Sequence, residues 1–275
     1  RLVGSEMCIR DRWYVGGTIS TNKNEVKSLG GENSMILSMS DGSAVISEVG
    51  QPLYSFYGYQ TDGVFATDDA VVAAGKDGQA LTNAIGVAFA AGDMRFVDQN
   101  GDGKIDKEDR VNLGNALPDF YGTFYTNFQY KGLAVSAVFG YSKGNKMYNA
   151  VRRTMESMSD FSNQLTSVTR RWMYEGQITD IPRAVYGDPM ENSRFSDRWI
   201  EDASYLKLKE LMVSYKFNLF AGTTVFVAAE NLFTATKYLG MDPETMYSYD
   251  SSMRGFDYGK IASPRTVKLG FKVQF

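Results

Sequence analysis

The chain has 275 residues, enough for a sizeable core, and a net charge of −3, which leaves no basic field to attract nucleic acid. It contains no His, so the commonest general base and metal ligand is missing, and its one cysteine, Cys8, excludes an internal disulfide. No apolar run approaches the ~18 residues of a transmembrane helix, which leaves a barrel open, since barrel strands need only about 9–11 alternating residues.

The first twelve residues, RLVGSEMCIRDR, have neither strand nor helix periodicity. They read as translated adaptor or vector sequence, and with no initiating Met and no signal peptide the chain reads as a fragment. From Trp13 to Thr21 the residues alternate as a strand. Ser34–Met39 and Ser43–Val49 flank Asp41-Gly42, a dipeptide suited to a tight hairpin turn. Leu53–Tyr59 is aromatic-rich, and Thr67–Ala91 reads as loop with a short helix over Asp68–Ala74.

Met94–Val97 is strand-like and runs into DQNGDGKIDKED. There Asp98, Asn100 and Asp102 alternate, Gly103 permits a sharp turn, and Asp106 and Asp109 fall at loop positions nine and twelve. With the Lys104 carbonyl, this donor set has the spacing of a calcium loop, except that Asp109 stands where Glu is usual. A structural Ca²⁺ is the expectation; the bland reading is a solvated acidic turn.

Phe120–Tyr130 and Leu133–Tyr141 alternate on either side of Lys131-Gly132. A two-residue turn pairs Tyr130 with Leu133, Phe128 with Val135 and Phe124 with Phe139, so turn register and apolar phase agree. The stretch 142–202 is too long for a plain connection. Met147, Val151, Met155 and Met158, then Leu165, Val168 and Trp172, have helical spacing, ended by Pro182 and Pro189. Arg170, Arg171, Trp172 and Trp199 are candidate ligand or partner contacts, since indole suits sugar rings and Arg suits carboxylates. The plainer alternative is that they pack and solvate their own loop.

Ala203–Asn218 and Thr223–Phe233 form a second hairpin around Leu219–Gly222. Leu206 and Leu208 are out of phase with Leu211, Val213 and Tyr215, which predicts a β-bulge near Lys209-Glu210. A Tyr/Gly/Asp-rich loop follows over 234–263. In the last ten residues Val267, Leu269, Phe271, Val273 and Phe275 share one face and Thr266, Lys268, Gly270, Lys272 and Gln274 the other. Such a strand fits a membrane barrel wall or, equally on its own, the last strand of a soluble sandwich.

Six stretches in this order resemble the C-terminal part of SusC/RagA-type TonB-dependent outer-membrane transporters: GDMRFVDQNGDGKIDKED, GNALPDFY, RWMYEGQITDIPR, ASYLKLKEL, ENLFTATKY and the final strand. The resemblance implies an all-β protein whose residues 13–275 are the C-terminal portion of a transmembrane antiparallel barrel of about 22 strands. It also implies outer loops over about 60–118, 142–202 and 234–263, with a short helical insertion. By the same resemblance Lys268, Gly270, Phe271, Val273 and Phe275 carry the barrel assembly signal. The cell would be Gram-negative and Bacteroidota-type, a SusD-like lipoprotein would cap the outer mouth, and TonB would act through parts absent from this chain. Outer-membrane lipid and a glycan or peptide ligand complete the expected partners; nucleic acid is not among them. The alternative is a soluble calcium-stabilised β-sandwich binding carbohydrate. Enzyme chemistry is not expected: Glu201-Asp202 and Asp188 with Glu191 are available as carboxylates, but nothing marks a glycosidase pair.

Overall fold

A computed structural model describes residues 11–217 and 222–273. Cys8 and the rest of segment 1–10, residues 218–221 (most of the predicted turn Leu219–Gly222 among them) and the terminal Gln274 and Phe275 lie outside the described residues. In chain order the strands begin with β1 (Asp11–Thr21), β2 (Ser34–Ser38), β3 (Ala44–Glu48), β4 (Ser55–Tyr59) and β5 (Thr61–Val64). Helix α1 (Asp68–Ala74) precedes β6 (Thr82–Asn83), β7 (Met94–Phe96), β8 (Lys104–Ile105) and β9 (Arg110–Gly114). Next come β10 (Phe120–Tyr130), β11 (Leu133–Lys143), β12 (Lys146–Asn149), α2 (Ala150–Glu156) and β13 (Ile200–Asp202). The chain ends with β14 (Tyr205–Phe217), β15 (Thr223–Thr236), β16 (Phe256–Asp257) and β17 (Thr266–Lys272).

Six long strands form one antiparallel sheet in the order β1-β10-β11-β14-β15-β17. Its register lines up Trp13, Phe128, Val135, Val213, Val227 and Leu269 across all six strands. Because side chains alternate, the adjacent line, Tyr14, Asn127, Ser136, Met212, Ala228 and Lys268, takes the opposite face. The apolar rows are not covered: Trp13, Val15, Val225, Val227, Leu269 and Phe271 are exposed, Leu269 at 77% and Phe271 at 76%. A sandwich would clasp these rows against a second sheet, and among the described residues none does so. The sheet is open here, with one unpaired edge on β1 and one on β17.

The predicted hairpin register holds, with Tyr130 opposite Leu133, Phe128 opposite Val135 and Phe124 opposite Phe139. The predicted bulge is also present: pairing slips between Leu208 and Glu210, leaving Lys209 as the extra residue against β11, whereas β15 sets two residues, Asn231 and Leu232, against it. Opposite it, Asn231 takes a left-handed conformation (φ 53°), which Asn tolerates better than most residues. The slip returns Leu208 and Leu211 to one face, so the apolar row continues past the irregularity.

Three expectations need correction. The wall strand starts at Asp11, whose partner is Tyr130, so Asp11 and Arg12 belong to the sheet rather than to the adaptor-like segment. The first loop begins at residue 22, not near 60, because Thr21 pairs directly with Phe120. Strands β2, β3 and β4, at five residues each, are too short to cross a bilayer and form a small sheet β2-β3-β4-β9 within that loop. Finally, the helical spacing from Met147 to Trp172 yields only α2 and a 3-10 turn over Thr166–Arg170. Met147 lies on β12, which pairs with β13 and, in parallel, with β16, and Met158 at φ 52° prevents the helix from continuing.

The buried core sits in the loops, not in the wall. One cluster packs Phe65, Leu81, Phe89, Phe96 and Ile105 within the first loop, with Met190 from the second. Another joins Val45, Phe56 and Leu113 of the first loop, Tyr148, Phe195 and Trp199 of the second, and Phe256 of the third. The three long wall connections therefore fold as one body at one end of the sheet. No helix among the described residues is long and apolar enough to cross a membrane.

Candidate functional site

The polar face of the wall meets the loop body in a groove of about 480 Å³. Alternation alone places its hydroxyls: Tyr121, Ser142 and Tyr205 stand in one cross-strand line, with Ser20 opposite Tyr121. Thr18 and Thr123, the next pair along, share a hydroxyl–hydroxyl hydrogen bond of 3.0 Å. Lys209 reaches this face across Gly140, where a Cβ would stand 2.5 Å from the lysine Cε. Leu117, Pro118 and Arg254 close the groove from the loop side.

Beside the groove the third loop is strapped to the wall. Lys207, on the polar face and only 2% exposed, donates to Asp242 at 2.8 Å and lies 2.9 Å from Glu244. Glu244 also accepts from Lys209 and from the Tyr205 hydroxyl at 2.7 Å. Burial works against the Glu244 charge, but the hydrogen bonds from Lys209, Tyr205 and Lys207 prevail and hold its pKa below the usual glutamate value. A buried lysine left without these carboxylates would carry a large desolvation penalty, so the contact fixes the loop in place.

Asp41, read in the sequence only as a turn residue, links all three loops. Its Oδ1 accepts from the Ser43 amide at 3.0 Å, and its Oδ2 accepts from the hydroxyls of Tyr148 and Tyr258 at 3.1 Å each. Arg153 of α2 lies 3.6 Å from the same oxygen. Nearby, Arg152 donates to Glu201 at 2.6 Å and to Glu156 at 3.3 Å, and Arg198 donates to Glu156 at 3.1 Å. These guanidiniums also lie over Trp199, at 4.9 Å for Arg152 and 4.8 Å for Arg198.

Trp199 is accordingly 1% exposed, with its Nε1 donating to the Arg194 carbonyl at 3.1 Å, and offers no face to a ligand. Trp172 is half-buried against Gly92, where a Cβ would come within 2.5 Å of the indole. Arg171 donates to the Val168 carbonyl at 3.4 Å, while Arg170 is exposed and lies 3.8 Å from Asp180. The structure does not gather these four residues into one site. Glu201 and Asp188 are likewise engaged, Glu201 by Arg152, Asn149 and the Leu239 amide, and Asp188 by the Asn192 and Ser193 amides.

The acidic loop is closed by its own amides. Asp98 accepts from Gly101 at 2.7 Å and Gly103 at 2.8 Å, Asn100 from Asp102 at 3.0 Å, and Asp102 from Lys104 at 2.8 Å. Asp106 caps a short 3-10 turn, and buried Asp109 accepts from Gln99 at 2.8 Å and Asp106 at 2.7 Å. Burial raises the Asp109 pKa above the usual aspartate value. Among the described residues no group of three or more His, Cys, Asp or Glu side chains is gathered closely enough to hold a metal ion. A cation would have to draw these carboxylates inward.

Of the residues expected to carry the assembly signal, Lys268 forms an ion pair with Glu230, Gly270 lies under the Phe226 ring, and Phe271 stands opposite Val225. Val273 follows the strand, half-buried. The loop-locking residues Asp41, Lys207, Asp242 and Glu244 were not identifiable in advance. Tyr205-x-Lys207-x-Lys209 does show polar groups on one strand face, but nothing local pairs it with Asp242-x-Glu244, some 35 residues later.

No family model matches the chain. Over 96% of its length it is 28% identical to TonB-dependent receptor P3 of Formosa agariphila, covering 27% of that protein. It is 25% identical to TonB-dependent receptor SusC of Bacteroides thetaiotaomicron, again over 96% of this chain, covering 24% of SusC. In fold it is similar to the RagAB peptide importer in its open-open state, with a TM-score of 0.72 at 22% identity, over 96% of this chain and 26% of that one. The chain thus spans about a quarter of the length of these relatives. The chain is thus similar in sequence to TonB-dependent receptors, SusC among them, and in fold to the RagAB importer, which agrees with the SusC/RagA-type resemblance of its motifs.

Proposed function

We propose that the chain supplies wall strands and outer loops of an outer-membrane importer, its apolar rows facing lipid and its polar face lining the lumen. The observation that carries this is the apolar line from Trp13 to Leu269, six strands wide and exposed on every strand but β11, where Val135 is half-buried, with a more polar opposite face and a folded loop body at one end. Location in a Gram-negative outer membrane, capture of an oligosaccharide or short peptide under a SusD-like lipoprotein, and release driven by TonB belong to the same proposal. The names of the relatives, TonB-dependent receptors and a peptide importer, support it. Val213→Lys with Leu269→Lys in the parent receptor puts two ammonium groups on the lipid face, at about 2–4 kcal/mol each near the midplane. The expected outcome is loss of folded receptor from the outer-membrane fraction; wild-type amounts there would overturn the reading.

Calcium bound by Asp98, Asn100, Asp102, the Lys104 carbonyl, Asp106 and Asp109 completes the proposal. Donor spacing supports it, and a carboxylate oxygen that accepts one amide keeps a second lone pair. Calcium should raise the melting temperature of the parent receptor, and Asp98→Ala with Asp102→Ala should abolish the rise. Calcium-insensitive melting of the intact receptor would contradict it.

A further inference from the structure

We infer that the groove between the polar face of the wall and Arg254 binds a carboxylate-bearing ligand. The inference rests on the proposed lumenal position of that face and adds the charge class of what passes it. Two cations line the groove, Lys209 from the wall bulge and Arg254 from the third loop, and no Asp or Glu side chain does. That is unlike the chain as a whole, in which 32 acidic residues outnumber 29 basic ones.

The two cations differ in what holds them. Lys209 is engaged by Glu244, which Lys207 and Tyr205 share. The Arg254 guanidinium has no hydrogen-bond or ion-pair partner among the described residues; only its backbone amide is engaged, donating to the Ser251 carbonyl. An unpaired guanidinium presents a planar fork of donors matched to a carboxylate, in an arrangement that Lys does not offer. Around it the Ser20, Tyr121 and Ser142 hydroxyls can donate to or accept from the rest of a polar ligand. The volume, about 480 Å³, falls within the ~300–1,000 Å³ of small-ligand sites, so the occupant is one or two sugar or amino-acid units of a longer ligand.

A carboxylate can come from a uronic acid or from an acidic peptide, and binding to the detergent-solubilised full-length parent receptor separates them. Calorimetric titration uses trigalacturonate, triglutamate with acetylated and amidated ends, and the uncharged counterparts trigalactose and triglutamine with the same blocked ends. The expected result is that at least one acidic ligand binds at least tenfold more tightly than its uncharged counterpart, and which one does so names the source. Arg254→Gln should remove that tenfold preference, while Arg254→Lys should retain part of it. Raising salt should weaken the acidic ligand alone. Equal affinity for charged and uncharged ligands, no binding of either acidic ligand, or an Arg254→Gln receptor with its preference intact would overturn the inference. Because Arg254 is exposed, the substitution removes no core contact, and an unchanged melting temperature verifies that the variant folds. A receptor that fractionates with the outer membrane yet ignores ligand charge defeats this inference while leaving the proposed function standing.

Discussion

Asp41 shows how one carboxylate can hold three loops. Burial opposes its charge, but hydrogen bonds from Ser43, Tyr148 and Tyr258 prevail, and its pKa lies below the ordinary aspartate value. A carboxyl whose folded pKa is depressed contributes stability that is present above its unfolded pKa, about 3.9 for Asp, and is lost as pH falls through the folded value. The parent receptor's loop body should therefore loosen on acidification below about pH 4, read as faster proteolysis within the loops by an acid-active protease. Asp41→Asn should loosen it already at neutral pH and flatten the acid response; an unchanged profile would show that the contact is incidental. At this scale the sequence was least legible. Trp199 and Trp172 are the same residue type on the same loop, yet one is sealed beneath two guanidiniums and the other half-open against Gly92. Their surroundings come from segments up to about a hundred positions away, which no local pattern records.

Among elements, the wall strands were the most legible, because period-two alternation and turn length constrain the same register independently. The Tyr130–Leu133 hairpin and the bulge at Lys209 follow from a few residues each. The short strands misled: β2 to β4 alternate like wall strands, but the pairing of Thr21 with Phe120 sets them aside in the loop body. Methionines spaced as in a helix misled in the same way, since the parallel pairing of β12 with β16 depends on a partner a hundred residues away. Gly122 tests the wall directly. A Cβ there would run into the Thr18 carbonyl and the Tyr141 hydroxyl, which itself donates to that carbonyl at 2.9 Å. Gly122→Val should detach β1 from β10, seen as rapid hydrogen exchange of the 11–21 amides while β14 and β15 remain protected. Equal protection of β1 in both proteins would refute the close approach.

For the whole molecule, the division of labour is between a sheet that buries little and a loop body that buries much. In water a bare apolar sheet face would aggregate; in lipid it is the favoured solvent contact, and backbone pairing along the wall is already satisfied across five strand junctions. The alternation that assigns each face is readable in sequence, whereas the assembly of three loops into one body is not, because its core draws single residues from each. The most direct measurement places nitroxide labels one at a time at Val135, Val213 and Leu269, and at Ser136, Ser214 and Lys268, in the parent receptor reconstituted into bilayers. Labels on the first set should be relaxed by lipid-dissolved oxygen and shielded from an aqueous nickel complex, with the second set showing the reverse. Accessibility without that alternation, or with the apolar set buried from both reagents, would contradict a lipid-facing wall.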